Sequence, residues 1–453
     1  MSKRFQRSIL THCYGLSKRK LTTYITAFCL TVFNIWYTAL QTHNLPRQID
    51  GDFDQSGNQD ELFSLPTEKK TYTPCLKDER NWDVFHEEKI NRIRMKWKSF
   101  MDTVDEYPVN KFQGRGIVTS TRKSVYSRFL ATLRLLRWLN CTLPVEIFQF
   151  PNELNENQLS ELQNINHVSV HILGNRKSVQ DRSSNRYAIK LRALIESSFE
   201  HILWLDADNI PVCDPEYLFD LPHYTRSAAI FWPDFWTSSQ NNPIWKILNL
   251  TCRAEDYEQE AGQLLINKKL SWKALHLSLH LNGDSDVMKI LLGDKDTFRL
   301  SWRVLNIPFY FIRKYLAIVG FYHRSLNSSE SSEFCGHTMV QHDPFGEILF
   351  LHANMIKYHP HLKYSPEPKY PEVMHLSNPW RVLRRYANTA GYLKASIYRK
   401  YGYSCTTFPT DGPPLYEEEF HRLISPTITM MYLRFLNEKT SNRDTSEYAS
   451  VVD

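Results

Sequence analysis

The stretch His201-Ile202-Leu203-Trp204-Leu205-Asp206-Ala207-Asp208 decides the fold class. Its first five residues form an apolar-cored run of the length of a buried strand, and the run stops on two carboxylates. Asp206-Ala207-Asp208-Asn209 followed by Pro211 is also good turn chemistry, so the chain is expected to leave the strand at Asp206. Upstream, Gly116 to Ser120, Leu143 to Phe150 and Val168 to Leu173 read as strands. Val125 to Leu139 and Tyr187 to Phe199 carry apolar residues at helical spacing. Such alternation predicts an α/β fold with a mainly parallel central sheet. Ligands of these sheets bind beyond the carboxyl ends of strands, which is where Asp206 and Asp208 fall. Two carboxylates one residue apart suit one hard divalent cation, Mn²⁺ or Mg²⁺. An EF-hand is excluded, because Pro211 and Tyr217 stand where its glycine and closing glutamate belong.

The 453 residues carry a formal net charge of +6. Lys3, Arg4, Arg7, Lys18, Arg19 and Lys20, with no acidic residue among the first 20, account for all of it. A nucleic-acid binder would carry its excess charge on the folded domain, so no nucleic-acid partner is expected. Residues 21–40 contain no charge and match the roughly 20 residues of a membrane-spanning helix. Basic residues before this segment place residues 1–20 in the cytosol as a tail and the rest in the lumen, anchored as a single-pass type II protein. Residues 41–73 are polar and read as a stem, residues 74–436 as the folded domain, and residues 437–453 as a polar tail. Glycosylation triplets at Asn140, Asn249 and Asn327 agree with a lumenal domain. So does an even set of lumenal cysteines, Cys75, Cys141, Cys213, Cys252, Cys335 and Cys405, whose spacing selects no pairing.

Two further motifs accompany the acidic pair. Glu260-Ala261-Gly262-Gln263 precedes an apolar strand, Leu264-Leu265-Ile266; Gly262 would admit a close backbone approach, with Glu260 and Gln263 reaching sugar hydroxyls. Gly293-Asp294-Lys295-Asp296-Thr297-Phe298-Arg299 follows a helical run, Val287 to Leu292, and either aspartate is also a natural helix N-cap. The stretches HILWLDADNIPVCDPEYLF, EAGQLLINKK and GDKDTFR, in this order between Gly116 and about Lys363, resemble the fungal Golgi α-mannosyltransferases that extend N- and O-linked mannans. The resemblance implies a GT-A-type fold, a GDP-mannose donor, a Mn²⁺-type cofactor and retention of configuration. Mannose-containing glycoprotein glycans would be the acceptor and a Golgi mannosyltransferase complex the setting.

On that basis Asp206, Asp208 and a late histidine, His352, are the expected metal ligands. Lys357 would reach the diphosphate, at a spacing one residue different from that of glycogenin-like enzymes. Thr119 and Ser120 at the end of the first strand would meet the nucleotide, with Lys190 and Gln263 also in the donor-binding set. Glu260 and Asp294 are the candidates to face the reacting sugar, Asp294 ahead of Asp296. Trp232, Phe235 and Trp236 could stack on acceptor sugars or pack in the core. Two alternatives stay open: a transferase using UDP-galactose or UDP-glucose, and a non-catalytic lumenal scaffold or glycan-binding subunit.

Overall fold

The computed structural model describes residues 75, 77, 80–174, 185–253, 257–323, 333–355, 379–386, 396–400, 403–407 and 416–437. The expected cytosolic tail, span and stem lie outside these residues, as do Lys357, Asn327 and all of the polar C-terminal tail except Asn437. Among the described residues no helix is long and apolar enough to cross a membrane.

The strands are β1 (Arg115–Ser120), β2 (Val145–Gln149), β3 (Val168–Ile172), β4 (His201–Leu205), β5 (Asn209–Pro211), β6 (Ala229–Thr237), β7 (Tyr257–Asn267), β8 (Tyr310–Phe311), β9 (Ala317–His323), β10 (Glu333–His342), β11 (Ile348–His352), β12 (Val382–Arg385), β13 (Ser396–Lys400), β14 (Tyr403–Thr407) and β15 (Tyr416–Glu419). The main helices are α1 (Glu87–Met101), α2 (Tyr126–Trp138), α3 (Glu156–Gln163), α4 (Asn185–Glu196), α5 (Lys268–Gly283), α6 (Lys295–Val304) and α7 (Pro426–Asn437). The fold class is α/β, and β4 has the bounds its apolar run predicts.

A seven-stranded sheet runs β3-β2-β1-β4-β7-β6-β8. Its first half is parallel, as alternation predicts. Beyond β4 it turns mixed: β7 runs antiparallel to both β4 and β6. A second, antiparallel sheet, β13-β14-β10-β9-β12-β15, is not foreseen from the sequence. β5 and β11 join it through β10. The Glu260–Gln263 motif lies inside β7, not ahead of a strand. The helical run at Val287 shrinks to a 3-10 turn, Val287–Lys289, before Gly293 takes a positive φ of 74°.

Helix α4 buries Leu191 and Leu194 in the same apolar cluster as Trp204, Phe231, Leu264 and Ile266 of the sheet and Phe298 and Trp302 of α6. Each aliphatic side chain fully removed from water there contributes about 2–3 kcal/mol. Helix α1 starts on the His86 cap and buries Ile90, Ile93 and Trp97 at helical spacing. That stripe packs in a cluster with Trp245, Leu277 and Leu281.

The Cys75–Cys252 disulfide sits in the cluster of α1, and Cys335–Cys405 joins β10 to β14. Cys141 and Cys213 are not disulfide-bonded. The Cys75–Cys252 link closes a loop with a sequence separation of 177 residues. Replacing both Cys75 and Cys252 by Ser is expected to cost about 2–5 kcal/mol of stability relative to the parent chain. Denaturant unfolding of the two chains measures the difference directly.

Candidate active site

The site is built by a chain crossing. β4 ends at Leu205 in the first sheet, three residues follow, and β5 begins at Asn209 in the second. Those three residues are Asp206, Ala207 and Asp208. β5 pairs with β11 so that Asn209 faces His352. The bond from Ala353 N to Asp208 O (2.9 Å) fastens the crossing to the end of β11. On the other side, Asp206 N donates to Gly262 O of β7 (2.8 Å). Residues 206, 208 and 352 therefore meet although 144 positions separate the last two.

Asp206, Asp208 and His352 each offer a ligand atom, and these atoms lie within 4.8 Å of one another. Asp208 and His352 are buried and Asp206 is half-buried. His352 Nε2 stands 3.3 Å from Asp208 Oδ1, while Nδ1 stands 3.0 Å from Glu260 Oε1. The ring thus turns one nitrogen to the acidic pair and the other to a carboxylate that orients it, the arrangement by which metal-ligating histidines are held. Burial alone would depress His352, but Glu260 and Asp208 outweigh it and raise the ring to about 10. Burial pushes Glu260 up, and His352, the Gly262 N–H (2.6 Å) and Lys190 bring it down to about 2. Two bare carboxylates at this spacing repel by ~3 kcal/mol even at an effective dielectric of 20. A divalent cation removes that cost, and the oxygen-rich set with one imidazole fits Mn²⁺.

Lys190 is not a phosphate-seeking side chain on a helix surface. It is buried, donates to Ala261 O (2.7 Å) and lies 3.3 Å from both Asp206 and Asp294. Burial works against its charge, and Asp206, Asp294 and Glu260 together keep it protonated. Trp204 Nε1 donates to Asp206 Oδ1 (2.7 Å), fixing the same carboxylate from the strand side.

The structure separates the two aspartates of the third motif. Asp294 holds the N-cap position of α6 but makes no side-chain capping bond, and its carboxylate turns to Lys190. Asp296 is buried against Arg299 (2.9 Å) and accepts from Gln259 N (3.2 Å). Asp294 therefore belongs to the site and Asp296 to the frame. The three-residue spacing of Asp296 and Arg299 on a helix is the readable signal for that pair.

Gln263 is fully buried and accepts from Asn209 Nδ2 (2.5 Å), bracing β5 against β7. Thr119 is buried within β1, and Ser120 ends that strand half-buried. Because Val118 pairs with Trp204, the end of β1 lies beside the end of β4. Trp232 is fully buried and donates to His342 O (2.8 Å), so it is core and not a stacking surface. Phe235 is likewise core, while Trp236 stays half-buried. Sequence reasoning passes over Asp234, Glu258 and Lys295, although an aspartate inside the aromatic run Phe231–Trp236 is itself unusual.

Gly262 has a different reason from the expected approach to a ligand. A Cβ there would lie 2.7 Å from His352 Nδ1 and 3.0 Å from Glu260 Oε1. The glycine clears the space in which the imidazole rests. Pairing also breaks beside it: between Ile230↔Leu265 and Trp232↔Glu260 the chain advances two residues on β6 but five on β7. Such bulges re-aim side chains at strand ends next to active sites.

A mannosyltransferase family model (Mannosyl_trans3) matches residues 114–257 and 249–343, together just over half of the 453 residues. The chain belongs to this mannosyltransferase family. It is 24% identical to the alpha-1,2-mannosyltransferase MNN21 of Candida albicans, over 71% of this chain and 56% of that protein. To the alpha-1,2-mannosyltransferase MNN2 of Saccharomyces cerevisiae it is 25% identical, over 52% of this chain and 46% of that protein. The chain thus spans about half the length of the curated relatives it matches. Similar solved structures include the galactosyltransferase LgtC with donor and acceptor sugar analogues (14% identity, TM-score 0.32, 41% of this chain and 69% of that one). Another is the bifunctional glycosyltransferase WbbM (12%, TM-score 0.31, 44% and 38%). Overlaps this partial leave the chemistry to the residues themselves.

Gly262→Ala is expected to weaken Mn²⁺ binding at least tenfold by displacing His352 while the domain stays folded. Calorimetric titration of the two proteins with Mn²⁺, beside their melting curves, checks it. Equal metal affinity would refute the role given to the glycine.

Proposed function

We propose that this protein is a metal-dependent, retaining α-mannosyltransferase of GT-A-type fold that moves mannose from GDP-mannose to mannose residues of N- or O-linked glycans. The observation that carries the reading is the convergence of Asp206, Asp208 and His352 in a chain of a mannosyltransferase family. These three would hold a divalent cation, which supplies positive charge to the diphosphate as the glycosidic bond breaks.

The other residues have distinct tasks in this reading. Glu260 holds the His352 ring so that Nε2 faces the acidic pair. Lys190 keeps Asp206 and Asp294 at fixed separation, and its loss would leave buried charges unpaired at about 3–5 kcal/mol. Asp294 is the carboxylate assigned to the donor sugar, where oxocarbenium character develops. Thr119 and Ser120 take the nucleotide end, at the edge shared by β1 and β4. Lys357 retains the diphosphate assignment made from the sequence.

The same reading places the protein in the Golgi membrane through residues 21–40, with its catalytic domain lumenal and within a mannosyltransferase complex. Two observations favour a lumenal domain: disulfides at Cys75–Cys252 and Cys335–Cys405, and exposed asparagines at the Asn140 and Asn249 triplets.

Full-length protein incubated with GDP-mannose, Mn²⁺ and α-mannobiose is expected to form a trisaccharide. Asp208→Ala should lower the rate at least a hundredfold, and chelation of the metal should do the same to the parent. Transfer from UDP-galactose or UDP-glucose alone would defeat the donor assignment, and equal transfer by Asp208→Ala would defeat the metal site.

A further inference from the structure

Directly after Asp294, Lys295 reaches a different pair of acids. It lies 2.7 Å from Asp234 on β6 and 2.6 Å from Glu258 on β7. Burial disfavours the charges of Lys295 and Asp234 alike, and the shared lysine is held ionised by both acids. The triad sets one lysine against two acids, of which Asp234 is pushed up to about 7 chiefly by burial, while neighbouring Asp296 is matched by Arg299.

Aromatic rings border the triad. Lys295 Nζ is 5.5 Å from the Trp236 ring centroid. Tyr257 and Tyr315 lie 4.9 Å apart, and Tyr315 donates to Phe235 O (2.9 Å). Trp236, Tyr257, Tyr315 and Glu258 are half-buried, whereas Asp234 and Lys295 are buried. A floor of fixed charge thus lies under a partly open aromatic rim.

This place adjoins the metal cluster. Glu258 precedes Glu260 by two residues on β7, and Asp234 feels the charge of Glu260. Trp236 and Tyr315 pack in one cluster with Met339, which pairs with His352 across β10 and β11.

We propose that Asp234, Glu258 and Lys295, with the rings of Trp236 and Tyr257, form the subsite that receives the acceptor sugar. A pyranose presents a C–H face that an aromatic ring covers and a rim of hydroxyls that needs matched charged or polar groups. Two acids around one lysine offer no net positive charge to a nucleotide diphosphate, so the occupant is a neutral polyol and not a second anion. The assignment rests on the mannosyl-transfer reading for the identity of the sugar. It deepens that reading by separating an acceptor side, around Lys295, from a donor side, around Lys190. An ion triad serving stability alone would have no use for the half-open rings.

Ligand-observed NMR of α-mannobiose with the full-length protein, without donor, tests the subsite apart from the transfer chemistry. The parent is expected to bind saturably. Trp236→Ala and Glu258→Gln should each weaken binding at least tenfold with Mn²⁺ affinity kept, the melting temperature being kept in Trp236→Ala and lowered in Glu258→Gln, which leaves Lys295 short of one buried partner. Tyr257→Phe should bind within threefold of the parent, since its ring remains. Unchanged α-mannobiose affinity in Trp236→Ala, or preference for a lysine-rich peptide over the sugar, would overturn the proposal. A parent that binds α-mannobiose but does not turn over GDP-mannose would refute the donor assignment and leave the subsite supported.

Discussion

Four carboxylates, Asp206, Asp208, Glu260 and Asp294, converge at the crossing between two sheets, and the protein must balance them. Unpaired, they would unfold the region: each buried charge without a partner costs several kcal/mol, against a typical total stability of about 5–15 kcal/mol. Lys190 answers two of them and His352 the other two. A divalent cation at the proposed site, which needs a neutral Nε2 on His352, would take over the balancing of the negative charge that remains. Fold and chemistry are therefore one electrostatic problem, since the elements that deliver these acids are held together by the cations placed between them.

Lys190 and Lys295 are parallel solutions. Each is a buried ammonium between two carboxylates from different elements: Asp206 and Asp294 for one, Asp234 and Glu258 for the other. Asp294 and Lys295 are consecutive, so the start of α6 takes part in both networks. That explains why the helix start forgoes a side-chain cap at Asp294. A cap would be worth about 1 kcal/mol, less than the cost of leaving Lys190 short of a partner in the interior.

The parallel half of the first sheet was legible because its signals are local. An apolar run such as His201–Leu205 carries its own length and boundary, and Asp206 marks where it ends. The candidate metal triad was legible only in part. Asp206 and Asp208 announce themselves by position, but His352 reaches them through the β5–β11 pairing, which no local pattern encodes. Lys190 read as a donor-binding side chain and not as an ion-pair partner of the acids, because Asp206 and Asp294 lie 16 and 104 positions away, after β4 and at the start of α6. The second sheet escaped notice because the pairings that assemble it, β10 with β14 and β12 with β9 and β15, join strands far apart in the chain, and such pairing leaves no mark at short range.

The irregular pairing of β7 divides that strand into two parts with different duties. Leu264, Leu265 and Ile266 belong to the core and follow β4 residue for residue. Glu258 and Glu260 lie past the slack of the bulge and follow β6 in a different register. The slack makes the strand modular. Side chains in the core segment can be exchanged for others of similar volume without turning the carboxylates, whereas the acidic segment answers to its ion partners Lys295 and His352 and not to core volume.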